Sequence, residues 1–253
     1  MTRRPFFIGW SGSVDPELRR FLWRASLGLL LGVAALGGML GAVADEPGGP
    51  GFGSPAVALP ALPGGPLEGV LTAWPYPVLH MPADPAHPTG RAVLLGGGGK
   101  DGLPGDLASL DGASVRVEGV LLRRGSIEML ATDQAPLRIG LSFAAPKPEA
   151  LGRWRIVGEI CDGKCAAGVM VPGSGIAHRA CANLCLSGTL PAILVTAAPV
   201  LDHSYLLLGS PDGGPMPETA RRLVGARVVI EGELERHGPL LVLRADFQNA
   251  RPQ

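Results

Sequence analysis

The sequence predicts a mainly β protein: one N-terminal transmembrane helix, then two tandem OB-like small β-barrels, the second with a helical insert bearing cysteine and histidine. Three observations lead there. Residues 25–44 are twenty in a row without a charge. Residues 110–130 and 223–243 repeat one another. All four cysteines lie between Cys161 and Cys185, in the second copy alone. Composition narrows the field further. Hydrophobic residues reach 46% and charged ones 17%, which argues against wholesale disorder. Lysine plus arginine (22) balance aspartate plus glutamate (22), so the basic face of a nucleic-acid binder is missing. The 38 glycines and 25 prolines favour short strands and turns over a helical bundle.

Residues 1–24 read as a cytoplasmic leader and residues 25–44 as the anchor. Twenty helical residues span about 30 Å, one hydrocarbon core. Arg19, Arg20 and Arg24 precede the run, and Trp23 sits at the expected interface. The leader carries five arginines against Asp15 and Glu17, so the positive-inside rule keeps it in the cytoplasm and sends the rest across. The reading is a single pass of a bacterial inner membrane with a periplasmic C-terminal portion. A cleaved signal peptide is the alternative, since Ala42-Val43-Ala44 fits an A-x-A site. Gly28 and Gly32, like Gly37 and Gly41, have the G-x-x-x-G spacing that lets a second membrane helix approach. The expected partners are therefore the bilayer and another membrane protein, and not nucleic acid.

Residues 45–65 read as a linker. From Asp45 to Pro66, twelve of 22 residues are Pro or Gly, so no core forms there. Such a tether reaches ~25 Å if coiled and ~65 Å if polyproline-like.

The two barrels are expected at residues 66–145 and 151–250. In the repeat, LDGASVRVEGVLLRRGSIEML aligns with LVGARVVIEGELERHGPLLVL at an offset of 113, with ten of 21 positions identical. Val228, Ile230 and Leu234 alternate with Arg227, Glu231, Glu233 and Glu235, the period of a strand with one buried face. Gly119 and Gly232 interrupt their strands where a barrel turns a corner. Arg124-Gly125 and His237-Gly238 mark hairpin turns. Residues 67–71 and 155–160 read as first strands, and 91–95 and 204–208 as middle strands. Closing such short strands into a barrel removes their edges, with a sandwich as the alternative.

The chemistry concentrates in the insert, residues 161–192. Cys161 and Cys165 precede a loop; His178, Cys181 and Cys185 follow on a predicted helix over residues 176–186. Their i, i+3, i+7 spacing puts the three on one face. Ser174 or Gly175 would cap this helix and Gly188 stop it. Three uses compete. An exported chain with an even cysteine count suits two disulfides, loop cysteines crossing to helix cysteines. Cys161, Cys165, His178, Cys181 and Cys185 also supply enough ligands for zinc or copper. Lys164 and Arg179 beside Cys165 and Cys181 suit a redox pair, though the usual C-x-x-C is missing.

The run GEICDGKCAAGVMVPGSGIAHRACANLCLSGTLPAILV resembles a segment of small exported bacterial OB-like proteins of uncharacterised function. Their pattern is D-x-x-C, a loop, H-x-x-C-x-x-x-C-[IL]-x-G-G-x-P, then an apolar strand. The matching residues are Asp162, Cys165, His178, Cys181, Cys185, Leu186, Gly188 and Pro191. Thr189 departs from the second glycine, and Cys161 is extra to the pattern. The resemblance covers about 40 residues and implies an exported OB-like domain with Cys165, His178, Cys181 and Cys185 as the core set; it implies no activity.

Elsewhere signals are weak. His80, Met81 and His87 read as loop residues, and His203 and His237 as solvated turn positions. The glycine run 96–99 lacks the Lys-Ser/Thr of a phosphate loop. No catalytic constellation stands out. The expected role is a non-enzymatic, membrane-anchored periplasmic accessory or assembly subunit of a membrane complex. An exported copper- or zinc-handling protein is the alternative, and a thiol redox protein the second alternative.

Overall fold

A computed structural model describes residues 14–44, 66–140 and 143–253. The first thirteen leader residues and the expected linker, residues 45–65, lie outside the described residues. The chain forms two units, one N-terminal and one β.

The N-terminal unit is helix α1 (Pro16–Ala44), long and apolar enough over Pro16–Met39 to cross a membrane. It starts nine residues before the uncharged run, because its start signal lies there. Asp15 accepts the backbone N–H of Glu17 on its side chain at 2.8 Å, and Pro16 occupies the first helical position, where no N–H is needed. The leader arginines Arg19, Arg20 and Arg24 are therefore helical.

In the β unit, the first sheet comprises β1 (Leu67–Thr72), β2 (Val78–Met81), β3 (Arg91–Gly96), β4 (Ser114–Val117), β5 (Val120–Arg124), β6 (Ile127–Ala131) and β7 (Leu137–Arg138). Their order is β5-β6-β3-β2-β1-β4-β7. β4 and β5 stand far apart in that order, yet only Glu118 and Gly119 separate them in the chain. The sheet must therefore curl round to bring its flanks together. A side chain on Gly119 would collide with the Ala131 carbonyl.

The second sheet comprises β8 (Glu149–Asp162), β9 (Ala192–Val200), β10 (His203–Gly209), β11 (Arg227–His237), β12 (Leu240–Ala245) and β13 (Arg251–Pro252). Five of them close into a barrel, β12-β10-β9-β8-β11, with β11 paired back to β12. At Gly232, β11 pairs with Trp154 of β8 and with Ala245 of β12. A Cβ there would strike the Arg244 carbonyl, so glycine permits the shared corner.

Both sheets contain one parallel pair. Leu94 opposes Met129 across β3 and β6, and Leu207 opposes Val242 across β10 and β12. Strand β8 is longer than the sequence suggested, because it spans two partners: residues 149–159 lie along β11 and 158–162 along β9. Strand β2 escapes the sequence reading altogether. Only four residues, Val78 to Met81, fit between flanking prolines, yet they pair on both sides. His80 is thus a buried strand residue rather than a loop residue, 2% exposed, with Nε2 3.0 Å from the Thr72 hydroxyl.

Burial follows the strand period on two levels. Leu79, Val93, Leu95, Leu121 and Leu130 pack inside the first sheet. Their neighbours Val78, Leu94, Leu122 and Met129 point the other way and join the apolar cluster of the second sheet. Strand β6 is buried at all five positions for this reason.

Two outcomes check this packing. Gly232→Val should destabilise the β unit by about 1–3 kcal/mol or more, read from chemical denaturation. Burial, with a smaller push from the charge on His237, lowers the His80 pKa from 6.5 to about 4. The unfolded chain then binds a proton that the folded chain refuses, so stability is full above pH 6.5 and falls as pH drops toward 4. Urea denaturation at pH 7.5 and 4.5 should differ by about 2–3 kcal/mol more in the parent than in His80→Gln.

Candidate metal centre

The segment between β8 and β9 carries the cysteines. Strand β8 delivers Cys161 and Asp162 into the interior, opposite Ile193 and Ala192. The chain then makes a π-turn, Cys165–Val169, released by Gly168 at φ 132°. A side chain on Gly173 would strike the Cys165 carbonyl, so the loop returns tightly over the turn. A 3-10 turn, Ile176–His178, leads into helix α2 (Arg179–Ser187). The single helix expected over residues 176–186 is thus divided, with His178 at the junction. Gly175, at φ 87°, precedes the turn and donates its N–H to the Glu159 carboxylate. Gly188 ends α2, donating to the carbonyls of Leu184 and Cys185 at 3.1 Å.

The predicted ligands fall into two groups. The sulfur atoms of Cys165, Cys181 and Cys185 lie within 4.8 Å of one another. Cys161, Asp162 and His178 form the other set, all buried. Spacing alone placed His178 on the face of Cys181 and Cys185, but a buried carboxylate takes its ring. His178 Nε2 donates to Asp162 Oδ2 at 3.0 Å, and Asp162 Oδ1 accepts the Cys165 backbone N–H at 2.9 Å. His178 Nδ1 has no hydrogen-bond partner among the described residues. The Cys161 thiol donates to the Gly173 carbonyl at 2.7 Å.

All four cysteines are free thiols, and the cross-paired disulfides expected from the even count are not formed. The physical reason is the grouping: three sulfurs share one place, and the fourth is turned to a carbonyl.

One lysine touches the three-thiol cluster and a second lies near it. Lys100, from the connection after β3, places Nζ 2.9 Å from Cys181 Sγ and 3.8 Å from Cys185 Sγ. Lys164 is buried and donates to the carbonyls of Gly97 at 2.8 Å, Gly98 and Gly99 at 2.6 Å. The Cys165 thiol donates toward Cys185 and, with Lys100 nearby, brings the Cys185 pKa down to about 7. The same coupling and burial push Cys165 up. Burial and the charge on Asp162 push Cys161 well up. Burial lowers Lys164.

The cluster opens onto a cleft of about 720 Å³ between the first sheet and the cysteine segment. Val120, Leu122, Val169 and Met170 give it apolar walls, with Lys100 and the three cysteines at one side. Met170 Sδ lies 3.2 Å from Cys181 Sγ.

Lys100 and Met170 escaped the sequence reading. Lys100 follows the glycine run, which lacks the Lys-Ser/Thr of a phosphate loop and serves instead as a row of carbonyls for Lys164. Met170 lies between the two cysteine pairs without a patterned spacing. The other histidines are tied up elsewhere. His87 Nδ1 bonds Asp84 at 3.1 Å, and His237 is half-buried against Glu235 at 2.8 Å rather than solvated. His203 is likewise half-buried.

No family model, curated protein or solved structure matches this chain.

Exposure sets an order of thiol reactivity. Cys181 is half-buried at the cleft and Cys161 is sealed and protonated. Iodoacetamide at pH 7.5, followed by peptide mass spectrometry, should label Cys181 first and Cys161 last, at least roughly tenfold apart.

Proposed function

We propose that this protein is a membrane-anchored metal-binding protein that holds a thiophilic ion, copper or zinc, on Cys165, Cys181 and Cys185. The observation that carries this reading is the gathering of three sulfur atoms within 4.8 Å beside an ammonium group. Metal–sulfur bonds of about 2.3 Å put sulfur ligands about 4 Å apart, so the ion needs little rearrangement. The donors also come from two separate stretches, the turn after β8 and helix α2, which the Asp162 carboxylate fixes relative to each other. Cys161 and His178 then serve the framework rather than the ion.

Within this reading α1 is the single-pass anchor of a bacterial inner membrane. Its arginines stay in the cytoplasm and the β unit faces the periplasm, as the charge asymmetry supports. The two sheets are two copies of one OB-like module. The parallel pairs Leu94–Met129 and Leu207–Val242, 113 residues apart like the sequence repeat, support that kinship. The open cleft beside the thiols suits a protein that passes its ion to an exported redox enzyme. A role as accessory subunit of a membrane complex is the second reading, favoured by the G-x-x-x-G spacing of Gly28 with Gly32 and of Gly37 with Gly41, which lets a second membrane helix approach.

Elemental analysis of the detergent-solubilised full chain tests the centre. One copper or zinc per chain is expected, retained in Cys161→Ser and lost in Cys165→Ser. Metal-free protein after anaerobic reconstitution, or thiols locked as two disulfides, would remove the reading.

A further inference from the structure

We infer that Met170 is the fourth ligand of the three-thiol centre and that the centre selects monovalent copper over zinc. This rests on the metal-binding reading of Cys165, Cys181 and Cys185 and adds the donor set and the identity of the ion.

The first argument is position. The Met170 thioether lies 3.2 Å from Cys181 Sγ and lines the same cleft as the three cysteines. Its main chain is pinned: Arg124 Nη2 donates to the Met170 carbonyl at 3.2 Å. The side chain, 37% exposed, reaches Cys181 from a backbone held at that carbonyl.

The second argument is which donors are withheld. Zinc takes thiolate, imidazole and carboxylate, whereas a thioether is a soft donor that suits monovalent copper. The one histidine of the segment is turned to Asp162, and both Asp162 oxygens are engaged, by His178 and by the Cys165 N–H. Asp133, on the cleft wall, accepts the Gly98 N–H at 2.8 Å. Glu118 also lines the cleft, but among the described residues no imidazole or carboxylate joins the three sulfurs in one ligand-sized group.

The third argument is charge. Three thiolates around a monovalent ion carry two net negative charges, against one around a divalent ion. Two ammonium groups attend the cluster. Lys100 touches two of its sulfurs, and Lys164 is buried one residue before Cys165. Fixed positive charge of that size matches the more anionic complex.

The test uses the full chain in detergent under anaerobic conditions, comparing the parent with Met170→Leu. Affinity for Cu(I) is read by competition with bicinchoninate, and affinity for Zn(II) with a chromogenic zinc chelator. The parent should bind one Cu(I), with an all-sulfur shell by X-ray absorption. Met170→Leu should weaken Cu(I) binding by at least about tenfold, the scale on which even outer partners of a metal count, and change Zn(II) binding less than about twofold. Equal Cu(I) affinity in the two proteins, or tighter Zn(II) than Cu(I) binding by the parent, would overturn the inference while leaving a cysteine metal centre in place. Failure of the parent to hold either ion better than Cys165→Ser would overturn both.

Discussion

A carboxylate with no access to water organises this molecule's chemistry. Asp162 is fully buried at the end of β8 and faces two donors, the Cys165 N–H and the His178 ring. Burying a charge is costly unless each lone pair finds a partner, and removing one partner of such a pair typically costs several kcal/mol. The loop and the helix that flank Asp162 therefore take the one arrangement that satisfies it. That arrangement turns His178 inward and brings Cys165 beside Cys181 and Cys185. The histidine looks like a ligand by its spacing and acts as a strut by its contacts.

The second tie runs between sheets. Lys164 reaches three carbonyls of the glycine run after β3, and Gly188 packs so closely on the Lys100 carbonyl that no side chain would fit. These contacts set Lys100 against the thiols. They also explain the glycines: carbonyls converge on one ammonium only where side chains do not hold the backbone apart. The apolar cluster shared by both sheets reinforces the same junction, with Leu94 and Met129 of the first packed among residues of the second.

Local signals were readable in the sequence, and long-range ones were not. The apolar N-terminal helix, the alternation in β11, the corner at Gly232 and the stop at Gly188 each depend on neighbours a few residues away, and each is visible in the letters. Helix α1 began earlier than its apolar stretch because its cap, Asp15, belongs to the charged leader. Strand β2 was hidden by prolines whose extended backbone suits a strand end as well as a loop. The five candidate ligands divide into the three thiols Cys165, Cys181 and Cys185, and Cys161 and His178 grouped with Asp162, a division set by a carboxylate whose depth no spacing reveals. Lys100 lies 81 residues from Cys181, a distance over which periodicity says nothing.

That separation has a consequence for the life of the chain. The ammonium reaches the sulfurs only after the whole span between them has collapsed and the two sheets have met, and contacts of such high sequence separation form late. A nascent or half-assembled polypeptide thus carries unpacked thiols without the ammonium that lowers the Cys185 pKa.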